Sequence, residues 1–531
     1  MDYKKKYLKY KTKYLSYDSL FNRIMLKMNL EKDIKKISIV DNIKFMLNIE
    51  QVIKDMKKNE YIATQTEKYI INLNSSENAL IMRKISLNYY NNLLLDLYFI
   101  IGNEYSLETI HFDKIYENIN IIKLIEIDII NKLDNMIADE KLFNFYNIDM
   151  IRKWEKIIIN IPVDKQAYFK LSQLDNMDKE IIWEKYLIIW EKFMESCLIV
   201  KQHLKKIINF YSTKQYNEII GCYNIDVKLY EYCLESHLGL KLDILKLEKW
   251  ALKELDNLVF DMKQLLKKMH PEININDSHI DLIKKYGVNQ KYESKEEFIN
   301  NHMKSIEKYK KIYIDMLNFK NYNDLKLIVF DNKHLSGGYY FDNKFYLNCS
   351  NWNSAYKYST ESLVLHETYP GHHLQIHTIK YKQTKNSLLY SYFNNIVNGF
   401  VEGWGLFAEK LGYEQSLWDK IGCIEYDILR TLRVIIDIRI HYKGIKYEEN
   451  YNFMKQYSSL PDDSIKSEIY RYMCMSGQAV CYKVGCEIFK IIFKKNKIER
   501  NELCKKIIND GCSTLSDLLN KYNIDKNELF N

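Results

Sequence analysis

Four of the chain's 12 histidines, His366, His372, His373 and His377, fall within one short stretch. That stretch runs His366-Glu367-Thr368-Tyr369-Pro370-Gly371-His372-His373 after the apolar residues Leu363-Val364-Leu365. Imidazoles supply borderline-soft nitrogen ligands to zinc. A neighbouring glutamate can take the proton of a metal-activated water. The residue types thus point to metal-assisted hydrolysis, with His366 as a ligand and Glu367 as general base.

The spacing needs a special backbone. In H-E-x-x-H the two histidines lie one helical turn apart on one face. Here the position four residues after His366 is Pro370. On a straight helix His372 would point roughly 120° away, and His373 would lie about 10 Å further along the axis. Pro370 cannot donate to the carbonyl of His366, and Gly371 accepts unusual dihedrals. A bulge over this pair would restore H-E-x-x-H geometry with His372 as second ligand. His373 is the alternative. A bland reading, a proline-broken surface helix with a polar tip, is left open by this stretch alone.

A second stretch shifts the balance. Asn398-Gly399-Phe400-Val401-Glu402-Gly403-Trp404-Gly405-Leu406-Phe407-Ala408-Glu409 reads as a helix. Glu402 would complete a two-His, one-Glu site for one zinc ion, with a fourth position open to water. Glu409 lies seven residues on, hence on the same face, and is placed to orient a ligand through a hydrogen bond. Convergence requires the side chains of His366 and Glu402 to approach within about 8 Å.

The pattern H-E-x-x-P-G-H-H followed by V-E-G-W-x-L-x-A-E resembles the family called domain of unknown function 885. The resemblance implies a mostly helical fold with a deep cleft, like the Glu-ligand zinc peptidases of the angiotensin-converting enzyme and oligopeptidase type. Two further stretches fit it. Arg433, Asp437 and His441 match an R-x-x-x-D-x-x-x-H pattern, and Gly477-Gln478-Ala479 with Tyr482 matches G-Q-A-x-x-Y. The family usually has proline where this chain has Ser476. By resemblance Tyr482 is a candidate transition-state hydrogen-bond donor. His441 could assist it at the oxyanion. Arg433 could pair with Asp437 beside the metal or grip a peptide's terminal carboxylate.

The elements around these residues read as helices. The chain has 531 residues, with only 4 Pro and 16 Gly and 47% hydrophobic residues. That composition favours long helices over a turn-rich β protein. Apolar-periodic segments such as 79–101, 119–137, 181–210 and 239–268 form an expected scaffold over 19–330, one wall of the cleft, before a zinc-site half over 331–531. Ser359 or Thr360 is placed to cap the helix that leads to His366. Between scaffold and zinc helix, aromatic runs flank Asp342-Asn343 and suggest a β-hairpin. There Gly338, Tyr339 and Tyr340 are expected to hold an extended peptide by main-chain hydrogen bonds, the glycine allowing close approach.

Residues 1–18 form a basic leader with Tyr3, Tyr7, Tyr10, Tyr14 and Tyr17 on one face. It resembles leaders of giant, mimivirus-like virus proteins and could contact an acidic surface or partner. The net charge of +8 includes no long basic run, so no nucleic-acid partner is expected. No apolar run is long enough for a transmembrane segment. Ten cysteines without C-x-x-C, and no signal peptide before them, suggest reduced thiols in the cytoplasm, or in a virion if the protein is viral. Many family members resemble exported or lipid-anchored proteins, and this chain lacks such a leader. The expected function is a zinc metallopeptidase of short peptides. Its rivals are a non-catalytic helical binding or virion-associated protein and a metal hydrolase of another amide or ester.

Overall fold

The structure, a computed structural model, describes residues 221–531 except 225, 318–323, 332–336, 342, 383–396, 512 and 531, with eight scattered positions between 191 and 209. The chain divides into two compact units, Met1–Ile220 and Gly221–Asn531, and the second is a helical assembly with one small sheet. The basic leader and the expected helical segments before residue 191 lie outside the described residues.

Helix α1, Val227–Leu238, starts where the Asp226 side chain accepts the Lys228 N–H and stops at Gly239, φ 59°. Helix α2, Ile244–Met269, buries Leu247, Ala251, Leu255, Leu258, Met262 and Leu266. These recur at steps of four and three, so a single apolar stripe faces the core. Helices α3, His279–Tyr286, and α4, Lys295–Leu317, follow.

A three-stranded sheet comes next: β1, Lys326–Phe330; β2, Gly338–Phe341; and β3, Lys344–Asn348. Its order is β1-β3-β2, with β1 parallel and β2 antiparallel to β3. The expected hairpin is β2–β3, turning through Asn343 at φ 59°. Gly338 is small where the sheet itself needs it to be. A Cβ there would stand 2.8 Å from the Phe345 ring of β3, which fills the space.

The helices that carry the histidine and glutamate motifs are α5, Thr360–Glu367; α6, His372–Lys382; and α7, Asn398–Ala408. Ser359 precedes α5, but its hydroxyl donates to the Tyr356 carbonyl and makes no cap. Lys308 of α4 reaches Glu361 of α5 at 2.6 Å. The C-terminal elements are α8, Leu417–His441; α9, Tyr447–Tyr457; α10, Asp462–Cys474; α11, Cys481–Lys495; α12, Arg500–Asp510; and α13, Leu515–Lys521. Ser416 and Asp419 close a reciprocal capping box at the start of α8. Helix α8 then packs along α2, with α9 and α10 against it. Mostly helical architecture with a small sheet is thus the observed fold. Seven described cysteines are free and buried.

The expected bulge after His366 is instead a full break. Helix α5 ends at Glu367, the chain turns through Thr368–Gly371 with a cis Tyr369-Pro370 bond, and α6 starts at His372. Gly371 lies against the open end of α5, where a Cβ would fall on the carbonyl oxygens of Leu365 and His366. The Trp404 indole N–H of α7 donates to the Pro370 carbonyl at 2.9 Å and pins this turn.

Helices α7 and α11 touch backbone to backbone. A Cβ at Gly485 would collide with the Gly399 carbonyl, and one at Gly403 with the Gly485 backbone. Gly485→Ala is therefore expected to destabilise the fold by about 1–3 kcal/mol through forced separation of the two helices. The check is the midpoint shift in urea unfolding.

Candidate metal centre

His366 leaves the last turn of α5, His372 opens α6, and Glu402 projects from the middle of α7. The Glu402 Oε2 atom lies 3.6 Å from His366 Nε2 and 3.3 Å from His372 Nε2. All three ligand atoms lie within 4.8 Å of one another. Tetrahedral zinc with bonds of about 2.0–2.1 Å places its ligand atoms roughly 3.3 Å apart. The two separations from Glu402 lie close to that spacing. Gly405, one turn beyond Glu402's neighbour Val401, makes room for both rings: a Cβ there would stand 2.8 Å from His366 Nε2 and 3.0 Å from the His372 ring.

The choice between His372 and His373 is resolved by direction. The His373 ring meets Tyr340 and Tyr369, and its Nδ1 lies 3.4 Å from the Tyr340 hydroxyl. It turns toward the hairpin, and only His372 joins the triad. Tyr340 is thereby tied to the zinc-motif turn, whereas Tyr339 stacks on Tyr346 and Gly338 backs onto Phe345.

Electrostatics separate the acidic groups. His366 Nδ1 donates to Glu409 Oε1 at 2.9 Å, which leaves Nε2 to face Glu402. Burial alone would lower the pKa of His366, but Glu402 and Glu409 raise it to about 9. The pocket thus draws positive charge to Nε2, as a divalent cation would supply it. Burial would raise Glu402, yet His366 and His372 hold it well below the carboxylate range. Glu367, beside them, is pushed up by burial and by Glu402. Two carboxylates in one site with pKa values driven apart suit two roles, ligand and base.

Tyr482, from the first turn of α11, stacks on His366 at 6.2 Å between ring centroids. Its oxygen lies 3.4 Å from an Arg471 guanidinium nitrogen. Burial keeps its hydroxyl protonated, and it is the one expected oxyanion donor brought to the triad.

Three expected residues have other partners than expected. Arg433 pairs with Glu468 at 2.9 and 3.0 Å, not with Asp437. Asp437 accepts the Gly477 N–H at 3.0 Å, which makes it a support of the segment before Tyr482 rather than of the metal. His441 is fully buried with both ring nitrogens engaged. The Cys222 N–H donates to Nδ1 at 3.1 Å, and Nε2 lies 2.9 Å from the Tyr472 carbonyl. It has no proton to offer an oxyanion. The departure at Ser476 is absorbed here: its hydroxyl lies 3.2 Å from His441 Nδ1, and Gly477 still turns at φ 83°.

Arg430 and Arg471 were not singled out from sequence. Arg430 approaches Glu409 at 3.6 Å, and Arg471 approaches Glu468 at 3.5 Å. A composition signal could have found them: only eight of the 78 basic residues are arginine, and four of those lie between 430 and 471. Burial would raise Glu468, but Arg433 and Arg471 hold its pKa at about 2, against an ordinary 4.5. A depressed carboxylate stabilises the fold above about pH 4.5 and loses that contribution as pH falls toward 2. Stability measured by urea unfolding should therefore fall less steeply between pH 4.5 and 2 in Glu468→Gln than in the unaltered protein.

Among curated proteins none matches the chain. Solved structures share its fold, and two of them are these. A "putative lipoprotein" from Colwellia psychrerythraea matches with a TM-score of 0.69 at 14% identity, over 91% of this chain and 90% of that one. A "putative lipoprotein of unknown function" from Shewanella oneidensis matches with a TM-score of 0.57 at 13% identity, over 94% and 97%. A family model covers residues 227–494, which takes in α1 through most of α11 and with them every residue of the triad and its surroundings. On that match the chain belongs to the family described as bacterial protein of unknown function, DUF885.

Proposed function

We propose that the protein is a zinc-dependent metallopeptidase acting on short peptides. The observation that carries this reading is the triad itself: two imidazoles and a carboxylate at zinc-ligand spacing, with a raised carboxyl, Glu367, directly beside them.

His366, His372 and Glu402 would hold one zinc ion, and their chemistry fits it, since two neutral imidazoles and one carboxylate leave a position for water. A bound ion would acidify that water and polarise a substrate carbonyl. Glu367 takes the water's proton as the carbonyl is attacked and hands it to the leaving amine. Its upward shift is in the direction a base working near neutral pH needs. Tyr482 donates its hydroxyl to the oxygen on which negative charge develops. Glu409 fixes the His366 ring and tautomer, and Arg430 steadies Glu409. Burial of His366, Glu367 and His372 excludes bulk water from one side, while Glu402 and Tyr482 form the more open side.

The deciding experiment pairs metal analysis with digestion of a peptide library. Glu367→Gln should keep one zinc per chain and lose about 10²–10⁴ in turnover. His366→Ala should lose both zinc and turnover. Unchanged hydrolysis by Glu367→Gln would remove the general-base role, and equal zinc in wild type and His366→Ala would remove the metal site. Glu409→Gln should keep the fold and weaken zinc binding by about 10–100-fold, measured by competition with a chelating dye.

A further inference from the structure

A pair of thiols takes no part in the chemistry proposed above. Cys222 stands in a single 3₁₀ turn, Cys222–Asn224, and Cys233 in α1. Both are free, and they are 4% and 3% exposed. The Cys233 thiol donates to the Cys222 sulfur.

From Cys222 the hydrogen bonds run on in one direction. Its thiol donates to the Ser476 hydroxyl at 3.5 Å. The Tyr472 carbonyl takes the proton of His441 Nε2, so Nδ1 is left as an acceptor. The Ser476 hydroxyl donates to that Nδ1 at 3.2 Å, and the Cys222 N–H does so at 3.1 Å. A thiol proton therefore has a route to a base, from sulfur to hydroxyl oxygen and from there to the imidazole.

The cysteines are not equivalent. The hydrogen bond from Cys233, together with His441 and Ser476, holds the Cys222 thiol well below its ordinary pKa against the upward push of burial. The same hydrogen bond and burial push Cys233 well above it. Burial also raises Cys349, Cys423, Cys481, Cys486 and Cys504. Among the described cysteines Cys222 is thus the one suited to react as a thiolate, and a protonated thiol stands beside it.

We infer that Cys222 is a peroxide-reactive thiol and that Cys233 resolves it to a reversible disulfide. The Cys222 thiolate attacks one oxygen of hydrogen peroxide. The O–O bond breaks, an S–O bond forms, and the departing hydroxide takes the proton held at Nδ1 and leaves as water. The Cys233 sulfur then attacks the sulfur of the sulfenic acid. The S–S bond forms, and the sulfenic hydroxyl leaves with the Cys233 proton as a second water. The two sulfurs lose the two electrons that the peroxide gains. Near-complete burial restricts the oxidant to a small uncharged molecule of this class. The bond bears on Tyr482 through Gly477, which lies on the α1 backbone: a Cβ there would meet Leu234 at 2.9 Å and Cys233 at 3.0 Å. Closing the sulfurs to about 2.0 Å draws the 3₁₀ turn toward α1 and takes from Ser476 its thiol donor, just where the segment leading to Tyr482 rests.

The test treats the full, reduced chain with hydrogen peroxide, blocks the remaining thiols on denaturation and maps the peptides by mass. The expected product is a Cys222–Cys233 crosslink, lighter by two hydrogens and reversed by dithiothreitol. Cys233→Ser should stop at a sulfenic acid on Cys222, trapped by dimedone. Ser476→Ala should slow Cys222 oxidation by about tenfold, as a smaller thiolate fraction requires. An untouched Cys222, crosslinks scattered over other cysteines, or Cys222 oxidised in the unaltered protein without joining Cys233 overturns the inference. Amide hydrogen exchange over 477–482 should quicken several-fold in the oxidised protein, and unchanged exchange overturns the link to Tyr482. On the peptidase reading, hydrolysis should fall on oxidation and return on reduction. A crosslink in a protein that hydrolyses nothing supports the thiol switch and counts against the peptidase alone.

Discussion

Helix α7 can be approached to backbone distance on more than one side, and the site depends on it. Gly399 and Gly403 let α11 lie directly on its backbone, and Gly405 lets two imidazole rings do the same on another side. Between these surfaces the same helix carries Glu402. Side chains larger than hydrogen at those positions would hold the imidazoles of α5 and α6, and the phenol of α11, an ångström or more further out. A zinc site of the kind proposed, with bonds of about 2 Å, would tolerate no such displacement. Close packing here is thus a metric requirement, beyond any contribution it makes to stability.

Charge placement follows from the same compression. With His366, Glu367 and Glu402 drawn into one low-dielectric region, these three groups titrate under the control of burial and of their neighbours. Glu402 stays ionised between two imidazoles, while Glu367, lacking so direct a partner, is driven toward the neutral form. Glu409, fully buried, reaches outward to Arg430 as well as inward to His366. A chain of alternating charge therefore runs from α5 through the turn after α7 to α8.

The candidate site was legible in the sequence where chemistry is local. His366, Glu367 and Glu402 needed only motif types and helical spacing, and the hairpin announced itself by aromatic runs around a turn. Proline and glycine predict a bulge where the structure has a full break after Glu367, because they signal an interruption without saying how far the next helix will swing. His372 and His373 could not be told apart, since the answer depends on where Tyr340, from another element, stands. Arg433 was misassigned for a similar reason. A partner four residues away on the same helix, Asp437, was visible to periodicity, whereas Glu468, thirty-five residues on, was not. His441 had the right type for an oxyanion donor, but its engagement by Cys222 and Tyr472 spans distances in sequence that no spacing rule reaches.

Asp437 and His441 fasten the stretch from Tyr472 to Gly477 onto α8, just ahead of Tyr482. Saturation mutagenesis read only through loss of function would score both as indispensable, on a par with groups that meet a ligand. They are better understood as anchors of that stretch, whose removal would be felt as a displaced Tyr482 at the start of the next helix. Loss of function on substitution is therefore a poor guide to which residues line the site, and second-site revertants of such lesions would arise in the anchoring segment rather than around the triad.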